Sequence, residues 1–167
     1  MRSFVAKCAG LLCAGALCAS VVAGCDSTTA STVTEEQQAN RDYMAQVNQR
    51  MESLDADLEK FSDAVARQDV VSMRTQAESA FKALDALSTV EAPEALADVH
   101  ASYVSGSAEL REALSAYIDL YTEIQSATEQ APFDWSTYDQ RIAAIQQLYN
   151  DGLAALGSGD EAAAGKE

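Results

Sequence analysis

Apolar residues recur every three or four positions along four stretches of the chain, and this spacing predicts four amphipathic helices. The first helix is expected to begin at Thr34, which forms a capping box with Gln37, and no Gly or Pro interrupts it until past Arg67. Asp69 provides an N-cap for the second helix. The apolar lines of these two helices consist of Met44, Val47, Met51, Leu54, Leu58, Phe61 and Val65, and then of Val70, Met73, Ala77, Ala80, Phe81, Leu84 and Leu87.

Proline and glycine mark the limits of the third and fourth helices. Pro93 suits the first position of the third helix, because proline has no backbone N–H to leave unpaired there. Pro132 follows the end of that helix, Asp134 provides the N-cap of the fourth, and Gly157 is expected to end the fourth. Gly106 lies on the apolar line of the third helix, and we interpret it as a point of close helix approach or a kink. The apolar lines of these two helices consist of Leu96, Val99, Tyr103, Gly106, Leu110, Leu114, Tyr117, Tyr121 and Ile124, and then of Trp135, Tyr138, Ile142, Ile145, Tyr149, Leu153 and Leu156.

Four amphipathic segments joined by short loops predict an all-α fold, an antiparallel up-down-up-down four-helix bundle. We assign the bundle to residues 34–157 and predict that the small, polar tail at 158–167 is disordered. In the hairpin of the first two helices, Leu58 is expected to face Ala77, so that a large side chain lies opposite a small one.

The chain before the bundle has the pattern of an export signal. Arg2 and Lys7 supply a short basic region, and the stretch from Ala9 to Val22 carries no charge. A membrane-spanning helix needs about 20 apolar residues, whereas this uncharged stretch has about 14, a length typical of a signal peptide. The pattern therefore favours a cleaved signal over an uncleaved transmembrane anchor.

Val22-Ala23-Gly24-Cys25 resembles the lipobox of bacterial lipoproteins, in which lipid is attached to the cysteine thiol and the chain is cut directly before it. The resemblance covers the first 25 residues. It implies a signal peptide at 1–24, a lipidated Cys25 and a protein held on the extracytoplasmic side of the cell membrane. Residues 25–33, rich in Ser and Thr, predict a flexible tether. Beyond the lipobox, the chain is similar in composition to small helical lipoproteins of unknown function. This likeness implies no activity.

Acidic residues dominate the charge of the chain. Its 11 basic and 26 acidic residues give a formal charge of -15, and loss of Arg2 and Lys7 with the signal lowers this charge to -17. Such a chain is repelled by nucleic-acid phosphates and by anionic lipid heads, so we expect no nucleic-acid partner. The simpler consequence of the charge is solubility of a tethered domain.

The residues contain no recognisable catalytic pattern. Cys8, Cys13 and Cys18 lie in the signal and lipid would consume Cys25, so the mature chain has no thiol for a disulfide, a metal or a nucleophile. A serine motif of the G-x-S-x-G type and a phosphate-binding glycine loop are both absent from the sequence. We therefore predict that the protein is not an enzyme and uses no cofactor.

The single histidine, His100, lies at the edge of the third apolar line. Three positions earlier stands Ala97, where a di-iron bundle would need the Glu of a Glu-x-x-His motif. We interpret His100 as a half-buried residue with one hydrogen-bond partner. The alternative is a small-molecule or metal site between helices near His100.

Aromatic residues gather where the third and fourth helices meet. One interpretation is a docking or sugar-stacking patch, since Trp and Tyr are enriched at such contacts. The other is a local core that closes the end of the bundle, which agrees with the helical spacing. The aromatic residues of this group are Tyr117, Tyr121, Phe133, Trp135 and Tyr138.

The leading functional hypothesis is a non-enzymatic, lipid-anchored module that binds another envelope protein or component.

Overall fold

Four helices follow one another in the computed structural model, which describes residues 34–166. They are α1 (Glu35–Ala66), α2 (Val70–Ser88), α3 (Ala97–Ser126) and α4 (Tyr138–Ala164). Short 3-10 turns, Glu94–Leu96 and Trp135–Thr137, precede α3 and α4. Pro93 and Asp134 are the N-caps of these turns, so α3 and α4 begin about one turn later than predicted. Each helix packs against the next in the chain, α1 on α2, α2 on α3 and α3 on α4. This arrangement confirms the prediction of an all-α four-helix fold and is consistent with an up-down bundle.

The predicted starts of α1 and α2 are confirmed by their hydrogen bonds. The Thr34 hydroxyl accepts from the Gln37 backbone N–H at 3.2 Å, and the Gln37 side chain accepts from the Thr34 backbone N–H at 3.1 Å. This reciprocal capping box satisfies two donors that the helix start would otherwise leave free. Asp69 accepts from the Ser72 backbone N–H at 3.1 Å and so caps α2.

The turn between α1 and α2 has the two hydrogen bonds of a Schellman motif. The Asp69 N–H donates to the Ala64 carbonyl at 3.0 Å. The Gln68 N–H donates to the Val65 carbonyl, also at 3.0 Å. Gln68 has a φ of 56°, the left-handed conformation that glycine usually occupies at this position. Its carbonyl accepts from Gln125 Nε2 at 2.9 Å, which ties the end of α3 to the end of α1.

Gln68→Gly is expected to raise the free energy of unfolding by up to about 1 kcal/mol, because glycine adopts the left-handed conformation without a Cβ penalty. The Gln68 carbonyl that Gln125 contacts is kept in the variant. Chemical denaturation measures the effect. The matched control is Gln49→Gly inside α1, which should lose about 1 kcal/mol to the poor helix propensity of glycine. An equal loss in the free energy of unfolding for both variants would contradict the left-handed conformation of Gln68.

The core follows the predicted apolar lines through the first three helices. Tyr43, one position before the predicted Met44, is 1% exposed and belongs to the core as well, while Met44 is half-buried. The predicted residues that are buried in α1, α2 and α3 are Val47, Leu54, Leu58, Phe61, Val70, Met73, Ala77, Ala80, Leu84, Leu87, Val99, Tyr103, Gly106, Leu110, Leu114 and Tyr121.

The fourth helix differs from its prediction. α4 continues through Gly157 to Ala164, so the expectation of a helix end at Gly157 and a disordered tail is wrong for residues 158–164. Gly159 and Ala163 are buried, and tertiary contacts therefore stabilise a segment with little apolar side chain of its own. Lys166 Nζ donates to the Ala95 carbonyl at 2.8 Å, which holds the end of α4 against the start of α3.

Close backbone approach between α3 and α4 explains the glycine on the third apolar line. A Cβ added at Gly106 would lie 2.7 Å from the Gly152 carbonyl oxygen, and one added at Gly152 would lie 2.8 Å from Leu110 Cγ. Atoms at such distances clash, so both positions require glycine. The prediction of close helix approach at Gly106 is confirmed, and α3 is a continuous helix through it.

Candidate functional site

The structure brings the predicted aromatic residues together where α3 ends and α4 begins, but it buries them to different degrees. Tyr121 and Phe133 are buried, at 7% and 8% exposed. Tyr117 and Tyr138 are half-buried and pack against the core. Trp135 is 65% exposed. A local core therefore exists at this end of the bundle, and Trp135 lies outside it.

The Trp135 ring rests on two other rings. It meets the Phe133 ring edge-on, with centroids 4.9 Å apart and an interplanar angle of 75°. The Tyr138 ring lies 5.7 Å away at 50°. Burial raises the pKa of Tyr121, and a hydrogen bond with Tyr138 raises it further. The rings of Phe133 and Tyr138 that contact Trp135 are therefore held in place, Phe133 by burial and Tyr138 by its hydrogen bond with Tyr121. These contacts limit the motion of the Trp135 ring.

The backbone under Trp135 is fixed by Asp134. Its carboxylate accepts from the Ser136 N–H at 3.0 Å and from the Ser136 hydroxyl at 2.6 Å, and these bonds lower the pKa of Asp134. The Thr137 hydroxyl donates to the Asp134 carbonyl at 2.9 Å. The turn that carries the exposed ring is therefore ordered before any partner arrives.

Acidic groups surround this surface, which we call the Trp135 patch and define as Phe133, Asp134, Trp135, Tyr138 and Arg141. Asp134, Glu129 and Asp139 are exposed. Arg141 lies 5.7 Å from the Phe133 ring centroid and forms an ion pair with Glu123 at 2.7 Å, so its charge is neutralised. Arg141 was not predicted from the sequence, although it lies one turn after Tyr138 and hence on the same face of α4.

His100 has the environment that the sequence analysis favoured. It is half-buried, and its Nδ1 lies 3.0 Å from the Tyr43 hydroxyl. Burial raises the pKa of Tyr43 to about 12, so the hydroxyl keeps its proton at neutral pH. Among residues 34–166, no group of three His, Cys, Asp or Glu side chains is placed to hold a metal ion. The hydrogen bond between Tyr43 and His100 connects α1 to α3 at the edge of the core.

A second hydroxyl contact of the same kind involves Tyr103, which is fully buried on α3. Its hydroxyl donates to Asp160 Oδ1 on α4 at 2.6 Å. Burial raises the pKa of Tyr103, and the bond to Asp160 raises it further. The Tyr103 ring also covers Gly159, where an added Cβ would lie 2.7 Å from it. Tyr103 therefore accounts for the order of the last turns of α4.

A cavity of about 190 Å³ opens near His100, between the starts of α1 and α3 and the end of α4. Leu96, four positions before His100, lines it, and so does Met44, which follows Tyr43. The alternative predicted from the sequence was a site between helices near His100. His100 itself is not among the residues that line this cavity, whose walls come from three separate helix ends. Its lining residues are Gln37, Asn40, Arg41, Met44, Leu96, Ala163 and Lys166.

Cys25, the predicted lipidation site, lies outside the described residues, as do the signal peptide and the tether. Within residues 34–166, no helix has both the length and the apolar character needed to cross a bilayer. The chain matches no family model, and comparisons with curated proteins and with solved structures found no match.

Proposed function

We propose that this protein is a lipid-anchored, non-enzymatic binding module of the cell envelope that presents the Trp135 patch to a protein partner. The lipobox supports the anchor at Cys25 and a place on the extracytoplasmic side of the cell membrane. The observation that carries the binding role is the exposure of Trp135, 65%, on an ordered turn. An exposed aromatic ring with rigid support binds at a low cost in conformational entropy.

The position of the Trp135 patch suits a contact made away from the membrane. α1 begins at Glu35, next to the predicted tether, and its 32 residues extend about 48 Å. The bond between Gln125 and Gln68 places the end of α3 beside the far end of α1. The patch follows that end of α3, so it lies a helix length from the point where the tether joins the bundle.

The chemistry of the patch favours a partner segment that carries Lys or Arg beside apolar side chains. Tryptophan is the best aromatic face for a cation, and the exposed carboxylates of Glu129, Asp134 and Asp139 add attraction for basic groups. The overall charge of the chain has the same sign and steers basic partners toward it. A stacked sugar would use the ring and donate its hydroxyls to the carboxylates, but a neutral sugar gains no attraction from the negative charge of the chain.

Photo-crosslinking in whole cells tests the proposal. A photoreactive amino acid at position 135 of the full-length chain is expected to capture one discrete protein, with the attached peptide carrying a net positive charge. The same residue at position 71 is the control, because Val71 is 78% exposed on α2 and outside the patch. Crosslinks only to glycan, or equal capture from both positions, would contradict a protein partner at Trp135.

The cavity near His100 supports a second candidate function, a small-molecule binding module. Its volume of about 190 Å³ and its mixture of polar and apolar lining residues are the features of a ligand site. A ligand there would change the methyl NMR signals of Met44 and Leu96. This readout is independent of the Trp135 patch, so the two candidate functions can fail separately.

A further inference from the structure

The lining of the cavity near His100 divides into an apolar floor and a polar wall. Met44, Leu96 and Ala163 form the floor, and the latter two are buried. Gln37, Asn40, Arg41 and Lys166 form the wall. A ligand that satisfies both parts must itself be amphipathic, with a compact apolar body and one polar group.

The charges of the wall favour an anionic group on that ligand. Lys166 is paired with Asp98, so this pair contributes little net charge. Arg41 has no ionic partner among residues 34–166 and is left with its full positive charge. No carboxylate side chain lines the cavity. The wall therefore offers a net charge near +1, which suits a single negative charge better than a double one and disfavours a cation.

Asn40 has unused hydrogen-bonding capacity at the same wall. Its Oδ1 is buried and has no hydrogen-bond partner within the described part of the chain. A buried polar atom without a partner costs stability. Because a carboxylate only accepts hydrogen bonds, the group of Asn40 that would bind an acid is its N–H₂ group.

The volume limits the size of the apolar body. A cavity of about 150 Å³ accommodates a molecule of benzene, and this one measures about 190 Å³. We infer that the cavity binds a small organic monoanion, a carboxylate with one ring or a short branched chain, whose acid group meets Arg41 and Asn40 over the floor of Met44, Leu96 and Ala163. This inference names the ligand class for the second candidate function and rests on it.

Three probes of matched size test the inference: benzoate, benzyl alcohol and benzylammonium. Binding is measured on the full chain from the methyl NMR signals of Met44 and Leu96. Benzoate is expected to bind with a Kd of about 1 mM or tighter. Benzyl alcohol should bind at least about tenfold more weakly, because it lacks the charge-assisted bond to Arg41. Benzylammonium should not shift the signals.

Two variants identify the groups that select the anion. Arg41→Gln should weaken benzoate about tenfold, whereas Arg74→Gln, an equal loss of charge at an exposed site on α2, should leave the Kd unchanged. Asn40→Asp places a carboxylate in the wall and should abolish benzoate binding. Stronger binding of benzyl alcohol or benzylammonium than of benzoate would overturn the inference but keep the cavity as a ligand site. Absence of binding by all three probes would overturn both.

Discussion

Gly106→Ala is expected to lower the free energy of unfolding by about 2 kcal/mol, although alanine is the better helix former by about 1 kcal/mol. The reason is that the new methyl group would lie 2.7 Å from the Gly152 carbonyl oxygen and 2.9 Å from Leu156. The nearer contact is backbone, so α3 and α4 must move apart for the methyl group to fit, which loosens packing along both helices. Thermal and denaturant unfolding monitored by circular dichroism measure the loss.

Gly157→Ala is the matched control, because nothing lies within 4 Å of a Cβ added there. It also lies inside α4, so the better propensity of alanine should raise the free energy of unfolding by about 1 kcal/mol. The two substitutions are chemically the same and have opposite expected signs. Stabilisation by Gly106→Ala would show that the two helices are not in backbone contact.

Cys25→Ala is expected to block both lipid attachment and cleavage of the signal, since the proposed lipid is joined to this thiol. The variant should accumulate as an unprocessed precursor that takes up no labelled fatty acid. Metabolic labelling and the intact mass of protein from cells measure both effects.

Cys18→Ala is the control for that experiment, because Cys18 lies within the uncharged stretch before the proposed cleavage point. It should be processed and labelled like the natural chain. Ordinary cleavage and release of Cys25→Ala, or a mature chain that begins elsewhere and carries no acyl group, would contradict the lipobox assignment.

The sequence was sufficient for the parts of the fold that depend on local chemistry. The capping box of Thr34 and Gln37 forms from residues three positions apart, and Asp69 caps α2 in the same local way. The close approach at Gly106 was predictable because glycine inside a long helix needs a packing reason. Periodicity also identified the core face of α1, α2 and α3.

The sequence could not show features that depend on distant partners. Residues 158–164 look unstructured alone, and their helix depends on Tyr103 and the start of α3, more than fifty positions away. Trp135 shares the spacing of the fourth apolar line, but the 3-10 turn before α4 leaves it exposed. The aromatic cluster was predicted because its members are close in sequence. The cavity joins residues that share no motif, so only the three-dimensional arrangement reveals it.

The last turns of α4 have a consequence for how a molecule could reach the cavity. Ala163 and Lys166 are part of its lining, and they lie in the last turn of α4 and directly after it, where the chain has few large apolar side chains to bury. Such segments open at a lower free energy than the rest of a domain. This end of α4 is therefore expected to separate from the start of α3 more readily than the other helices separate from one another. Such local opening would admit a solute to the cavity while the three other helices stay packed.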